Sequence, residues 1–232
     1  MTIHFHREIE LLKKKVLSLS ARVEETVYQA VQSIDKRDAV LAGKVIHSDM
    51  DINKTEIDVE EDCLKILALY KPVAVDLRFI VAVLKINYDL ERIGDLAANI
   101  AERTIDLLNC QRTPFPYNFN SMAEKTLWML QKSLDALMNM DMQSAKLVLS
   151  KDDEVDEINR DMYDEVKKHM REHPESMDQW VHHLCISRHL ERIADHAVNI
   201  AEDVIYMCEG KIVRHEPREK NQIYDESIRA DK

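Results

Sequence analysis

Glu91, Asp95 and Asn99, and one hundred residues later Glu191, Asp195 and Asn199, set two carboxylates and an amide at successive four-residue steps. Side chains four apart stand one above the other on a helix surface, so each Glu-x-x-x-Asp pair can share one cation or bridge two. A second polar row precedes each of these: Asp49 with Asn53, and Asp152 with Asp156. The expected metal ligands are therefore Asp49, Asn53, Glu91 and Asp95 in one half and Asp152, Asp156, Glu191 and Asp195 in the other. Oxygen donors alone favour hard or borderline cations such as Mg, Mn, Ca and Fe.

The sequence around these residues is written twice. Asp89–Glu102 and His189–Glu202 agree at ten of fourteen positions, including Glu91/Glu191, Arg92/Arg192, Asp95/Asp195, Asn99/Asn199 and Glu102/Glu202. A core tolerates exchange among apolar side chains of similar volume, so packing alone gives no reason to keep five polar positions identical. At about 100° per residue, Glu91, Glu102, Asp95 and Asn99 fall at roughly 0°, 20°, 40° and 80°, opposite Leu96, Ile100, Ile93 and Ala97. The competing reading is a solvated face of an amphipathic helix. Arg92 and Arg192 read as ordinary surface ion-pair partners, with capping of a ligand carboxylate as the alternative. His189 and His196, present in the second copy only, read as unpaired surface histidines, as do His4 and His6 near the N-terminus.

The middle helix of the first half carries Asp49, Asn53, Glu56 and Glu60 between two apolar rows, Val45, Ile52, Val59 and Ile66 on one side and Ile46, Ile57 and Leu64 on the other. Acids so placed should be shielded from water, and burying several anions together is costly unless a cation compensates. The second half repeats the row at an offset of 103 rather than 100, a difference a loop absorbs.

These rows need long helices to carry them. Three glycines in 232 residues exclude the clustered-glycine loops that hold nucleotide phosphates, and abundant Leu, Ile, Ala, Glu and Lys indicate an all-α chain. Periodicity and breakers predict helices over about 5–35, 38–71 and 75–109, then about 121–140, 143–172 and 176–208, with Asp38 as an N-cap and Pro72, Pro174 and Gly210 as terminators. The architecture expected is two tandem three-helix bundles related by internal duplication: 1–112 and 121–212, joined by a linker at 113–120 and followed by a charged mobile tail at 213–232. A net charge of −11 argues against nucleic acid. No segment could span a bilayer, so direct membrane insertion is not expected. Cys63, Cys110, Cys185 and Cys208 form no C-x-x-C pair and read as reduced core residues of a cytoplasmic protein.

With its duplicated L-E-R-I-x-D-x-x-x-N-I-A-E, the Asp76–Arg78 stretch after Pro72 and the acidic D-x-x-x-N/D of each middle helix, the chain resembles the PhoU proteins up to about Gly210. The resemblance implies two three-helix bundles side by side, with metal clusters held by E/D-x-x-x-D pairs on the bundle surface. Carried over, Glu91, Asp95, Glu191 and Asp195 match most securely, and Asn53 departs from an all-carboxylate pattern. The cofactors expected are divalent or trivalent ions of Fe, Mn, Mg or Zn. The function implied is negative regulation of phosphate uptake and of the phosphate-starvation response, as an adaptor between the ATPase subunit of a phosphate ABC transporter and a sensor histidine kinase. A homodimer, cytoplasmic and peripheral to the membrane through those partners, is implied with it. The rival readings are a metal-dependent all-α phosphohydrolase, which lacks an evident phosphate-holding Lys/Arg group, and a metal-free helical scaffold.

Overall fold

The computed structural model describes residues 3–110 and 119–211. Three long antiparallel helices form the first bundle: α1 (Ile3–Lys36), α2 (Ala39–Tyr70) and α3 (Ala74–Asn109). The second contains α4 (Phe119–Asn139), α5 (Met142–Leu149), α6 (Asp152–Glu172) and, after a single 3-10 turn at Pro174–Ser176, α7 (Met177–Glu209). The fold is all-α as expected, with α5 and α6 together standing where one middle helix was predicted. Most of the predicted linker and the whole of the predicted tail lie outside the described residues. Phe119 and Asn120, assigned to that linker, instead open α4, so Ser121 lies inside the helix rather than capping it.

The helix ends follow from local chemistry. Asp38 accepts from the backbone N–H groups of Val40 and Leu41, and Asp141, 103 residues on, does the same for Gln143 and Ser144. Lys71 ends α2 in the left-handed region at φ 45°, just before Pro72, and Gly210 ends α7 at φ 72°. Arg78 lies against that last turn, where a Cβ on Gly210 would come 3.3 Å from its Cζ.

The break between α5 and α6 is the main departure from the predicted helices. Lys151 N–H bonds to Val148 C=O and Glu154 N–H to Lys151 C=O, three-residue steps that interrupt the four-residue ladder. Beyond it Asp152, Asp153 and Glu154 form the first turn of α6, where the positive end of the helix dipole favours acids. That acidic run was the signal for a new N-terminus.

Two copies of the duplicated helix meet at the centre. α3 and α7 pack on each other more extensively than any other pair of helices. Asp89 meets His196 and Asn199, Lys85 meets Asp203, and His182 approaches Asp106, so the helices run antiparallel about a local two-fold near Ile93 and Ile193. Both isoleucines are fully enclosed.

α2 and α3 come close enough that Gly94 is required to be small, for a Cβ there would stand 3.0 and 3.1 Å from two carbons of Ile52 and 3.7 Å from Asp49 Oδ1. At the equivalent places of the second half stand Val155 and Ala194, both buried, one methylene moved from one helix to the other. Volume-conserving exchange of this kind is the sort a core tolerates. Double-mutant analysis by urea unfolding should therefore give Gly94→Ala and Ile52→Val a favourable coupling of about 1 kcal/mol; additive effects would contradict the packing.

Candidate metal centre

Each acidic row sits where a middle helix faces the duplicated helix. In the first half Asn53 Nδ2 donates to Asp49 Oδ2 at 3.0 Å. That bond leaves Asp49 Oδ1 and Asn53 Oδ1 enclosed with no hydrogen-bond partner. An enclosed acceptor left unsatisfied costs about 1–3 kcal/mol, and two such oxygens one helical turn apart suit an oxygen-seeking cation. Enclosure, then the charge of Asp95 across the helix pair, holds the Asp49 carboxyl above its usual range. Glu91 is raised likewise, first by enclosure and then by Asp95.

Arg92 supplies positive charge here. Its Nη1 donates to Asp95 Oδ2 at 2.9 Å, its Nε lies 3.5 Å from Glu91 Oε2, and its guanidinium covers the Tyr88 ring at 5.1 Å. The expected ion pair is thus made with the two candidate ligands themselves.

In the second half the acids are gathered more tightly. Asp152 and Asp156 of α6 and Asp195 of α7 each bring a carboxylate oxygen within 4.8 Å of the others. Asp152 is buried and Asp156 half-buried; Asp195 remains exposed by surface area, so solvent still reaches it. Surrounding protein, followed by the charges of Glu191, Asp152 and Asp156, nevertheless pushes the Asp195 carboxyl up to about 6. Glu191, one turn before Asp195, is raised by its enclosure and then by Asp156. The geometry therefore assembles Asp152, Asp156 and Asp195 into one set, with Glu191 beside it. In the first half Asp95 is drawn toward Arg92, and an amide, Asn53, stands where Asp156 does. Among the described residues the second half brings three carboxylates within 4.8 Å of one another and fits a hard cation, whereas Asp49, Glu91 and Asp95 of the first half are neighbours that do not gather so closely.

The shielding predicted for α2 is one-sided. Val45, Ile52, Val59 and Ile66 are buried, whereas Ile57 and Leu64 are each 53 % exposed. The cysteines also differ from expectation, since Cys63 alone is buried, Cys110 and Cys185 are intermediate and Cys208 is exposed. His196 is not an unpaired surface residue: its Nδ1 lies 2.8 Å from Asp89 Oδ1, with both side chains largely enclosed, and Asn199 donates to the same oxygen at 3.2 Å. His189 is half-buried, and enclosure, with Arg192, Arg103 and Arg188 nearby, lowers its imidazole to about 4. Sequence reasoning missed this joint between the bundles. Its signal was the exchange of Asp89 and Leu96 for His189 and His196 within an otherwise matching repeat.

The PhoU domain matches the chain at residues 16–104 and again at 119–204, one match on each bundle. The chain belongs to the PhoU family. The "phosphate-specific transport system accessory protein PhoU homolog" of Aquifex aeolicus is 40% identical over 212 residues, covering 90% of this chain and 95% of that one. The crystal structure of PhoU from Pseudomonas aeruginosa superposes with a TM-score of 0.87 at 36% identity, covering 89% of this chain and 100% of the other. That of the phosphate transport system regulatory protein PhoU from Streptococcus pneumoniae gives 0.83 at 30% identity, covering 90% and 99%. Family membership sets the chain among accessory, regulatory proteins rather than enzymes.

The raised Asp195 carboxyl has a definite sign for stability. A folded-state value of about 6 against the ordinary 3.8 means the folded protein keeps a proton that the unfolded chain releases, so this acid opposes folding above pH 6 and ceases to as pH falls through that window. Chelator-treated protein should melt at a higher temperature at pH 5.5 than its Asp195→Asn-corrected baseline predicts from pH 7.5. The Asn variant should melt above the wild type at pH 7.5, with the gap narrowing by pH 5; a gap independent of pH would contradict the crowding of charge at this site.

Proposed function

We propose that this chain is a cation-loaded repressor of phosphate uptake and of the phosphate-starvation response. It joins the ATPase subunit of a phosphate ABC transporter to a sensor histidine kinase, working in the cytoplasm as a homodimer and reaching the membrane peripherally through those partners. The observation that carries this reading is the match of both bundles to accessory and regulatory proteins of phosphate transport systems. Among the described residues no helix is long and apolar enough to cross a membrane, which agrees with attachment through partners.

The units assigned to 1–112 and 121–212 each hold one metal site in this reading. Asp49, Asn53, Glu91 and Asp95 bind in the first, and Asp152, Asp156, Glu191 and Asp195 in the second. A bound ion of the Mn, Fe, Mg or Zn kind supplies positive charge to the clustered acids. The protein's own part is to hold those oxygens in place. Gly94 lets α2 approach α3, Arg92 orients Asp95, and the start of α6 sets Asp152 opposite Asp195. Rigid bundle faces are then presented to partners. Met50, Ile57 and Leu64 form an exposed apolar row at seven-residue steps along α2, a spacing suited to a partner helix.

Removing the gene should raise phosphate uptake and starvation-gene output in phosphate-rich medium, and the wild-type chain should restore repression. A chain carrying Asp152→Asn, Asp156→Asn and Asp195→Asn should accumulate to normal levels yet restore repression poorly. Full repression by that variant would separate the regulatory role from the metal, and unchanged output on deletion would remove the regulatory role itself.

A further inference from the structure

The far end of α6 carries a different donor set. His169 and Glu172 stand on the last turn of α6 and His173 caps it with a non-helical backbone, φ −134° and ψ 66°, and one ligand atom from each lies within 4.8 Å of the others. Pro174 stops the helix directly after them, and His173 N–H closes the last turn on His169 C=O at 2.8 Å. These residues stand about 20 Å along the helix from Asp156 at 1.5 Å per residue. They share no residue with the acidic trio.

We propose that His169, Glu172 and His173 form a second, chemically distinct metal site, taking one borderline divalent ion of the zinc and copper class. Two imidazoles and one carboxylate make a nitrogen-rich set, which selects such ions over Mg, Ca and Mn. Helices end in unpaired carbonyls with a net negative pole, and that pole favours a cation in the last turn.

Carboxylates stand beside both rings, and one of them is hydrogen-bonded as a metal-bound histidine requires. Such a ring directs its second nitrogen to a carboxylate or carbonyl, which fixes its orientation. His169 has Nε2 3.8 Å from Glu165 Oε2 and Nδ1 3.9 Å from Glu172 Oε2. His173 has Nδ1 3.2 Å from Glu175 Oε1. Glu175 takes the outer nitrogen of His173, leaving its Nε2 for the ion, while His169 Nδ1 faces Glu172, the third ligand, with Glu165 beside its other nitrogen but beyond hydrogen-bond distance. The rings are nearly parallel, 14° apart at a centroid distance of 6.4 Å. Zinc bound at about 2.0–2.1 Å holds its donors roughly 3.3 Å apart, a closure within reach of small side-chain rotations.

The site also has a built-in reporter. The Trp180 ring lies 5.4 Å from that of His169, across the Pro174–Ser176 turn. An ion there fastens the end of α6 and tightens the corner through which α6 feeds α7, the helix that carries Glu191 and Asp195.

The test uses untagged full-length protein at pH 7.5 in a Trp128→Phe background, so that Trp180 alone fluoresces. Cu(II) should quench Trp180, and calorimetry with Zn(II) should include a binding step that His173→Gln weakens by about ten-fold or more. His173 is the decisive position because its side chain is 52 % exposed, so its loss does not threaten the fold, which circular dichroism checks. Asp156→Asn, whatever it does to zinc held by the acidic trio, should leave the copper quenching and the His173-dependent zinc step unchanged, keeping the two sites separable. Zinc affinity and copper quenching indifferent to His173→Gln would overturn the proposal.

Discussion

Carboxylates held within a few ångströms of one another repel, and in this fold the apolar seams of two bundles hold them there. α2 is pressed on α3 by Val45, Ile52 and Val59, and α6 on α7 by Val155, Met162 and Val166, all buried. The acids ride on the rims of those seams, so they cannot separate unless the core opens. Enclosure and mutual charge raise Asp49, Glu91, Glu191 and Asp195 together, as expected for anions crowded by a scaffold that gains its stability elsewhere. Placing them so makes a cation the natural counterweight.

Duplication explains the symmetry of the scaffold and divergence explains its inequality. α3 and α7 pack antiparallel about a local two-fold, each presenting the same Glu-x-x-x-Asp pair outward. Where the halves differ, they differ in ways that change charge. Asn53 replaces the carboxylate at the place of Asp156, and Arg92 is drawn onto Asp95. The first half has Arg92 paired with Asp95, and the second brings three carboxylates within 4.8 Å of one another. The central joint is equally lopsided, with Asp89 bonded to His196 and Asn199 at a place where the repeat would put His189 opposite Leu96.

Much of this was legible in the residues, because helices of this length advertise themselves. Periodicity located the long helices, Asp38 and Gly210 marked two of their ends, and the repeated polar stripe pointed to the acidic rows. Features that depend on two helices meeting were not legible. The Asp89–His196 pair joins positions 107 apart, and no spacing rule on one helix links them. The exposure of Ile57 and Leu64 depends on which side of α2 meets α3, which an apolar row on each side left undecided. The break at Ser150 and Lys151 was readable in the acidic run that follows it, yet a continuous apolar period across the break masked it.

The central claim is that the crowded acids gather cations, most strongly in the second half. Crystals soaked in manganese and measured at its absorption edge test this most directly. The account predicts anomalous peaks between the middle and duplicated helices, the stronger one among Asp152, Asp156 and Asp195. Both clefts empty, with those side chains turned apart, would contradict it.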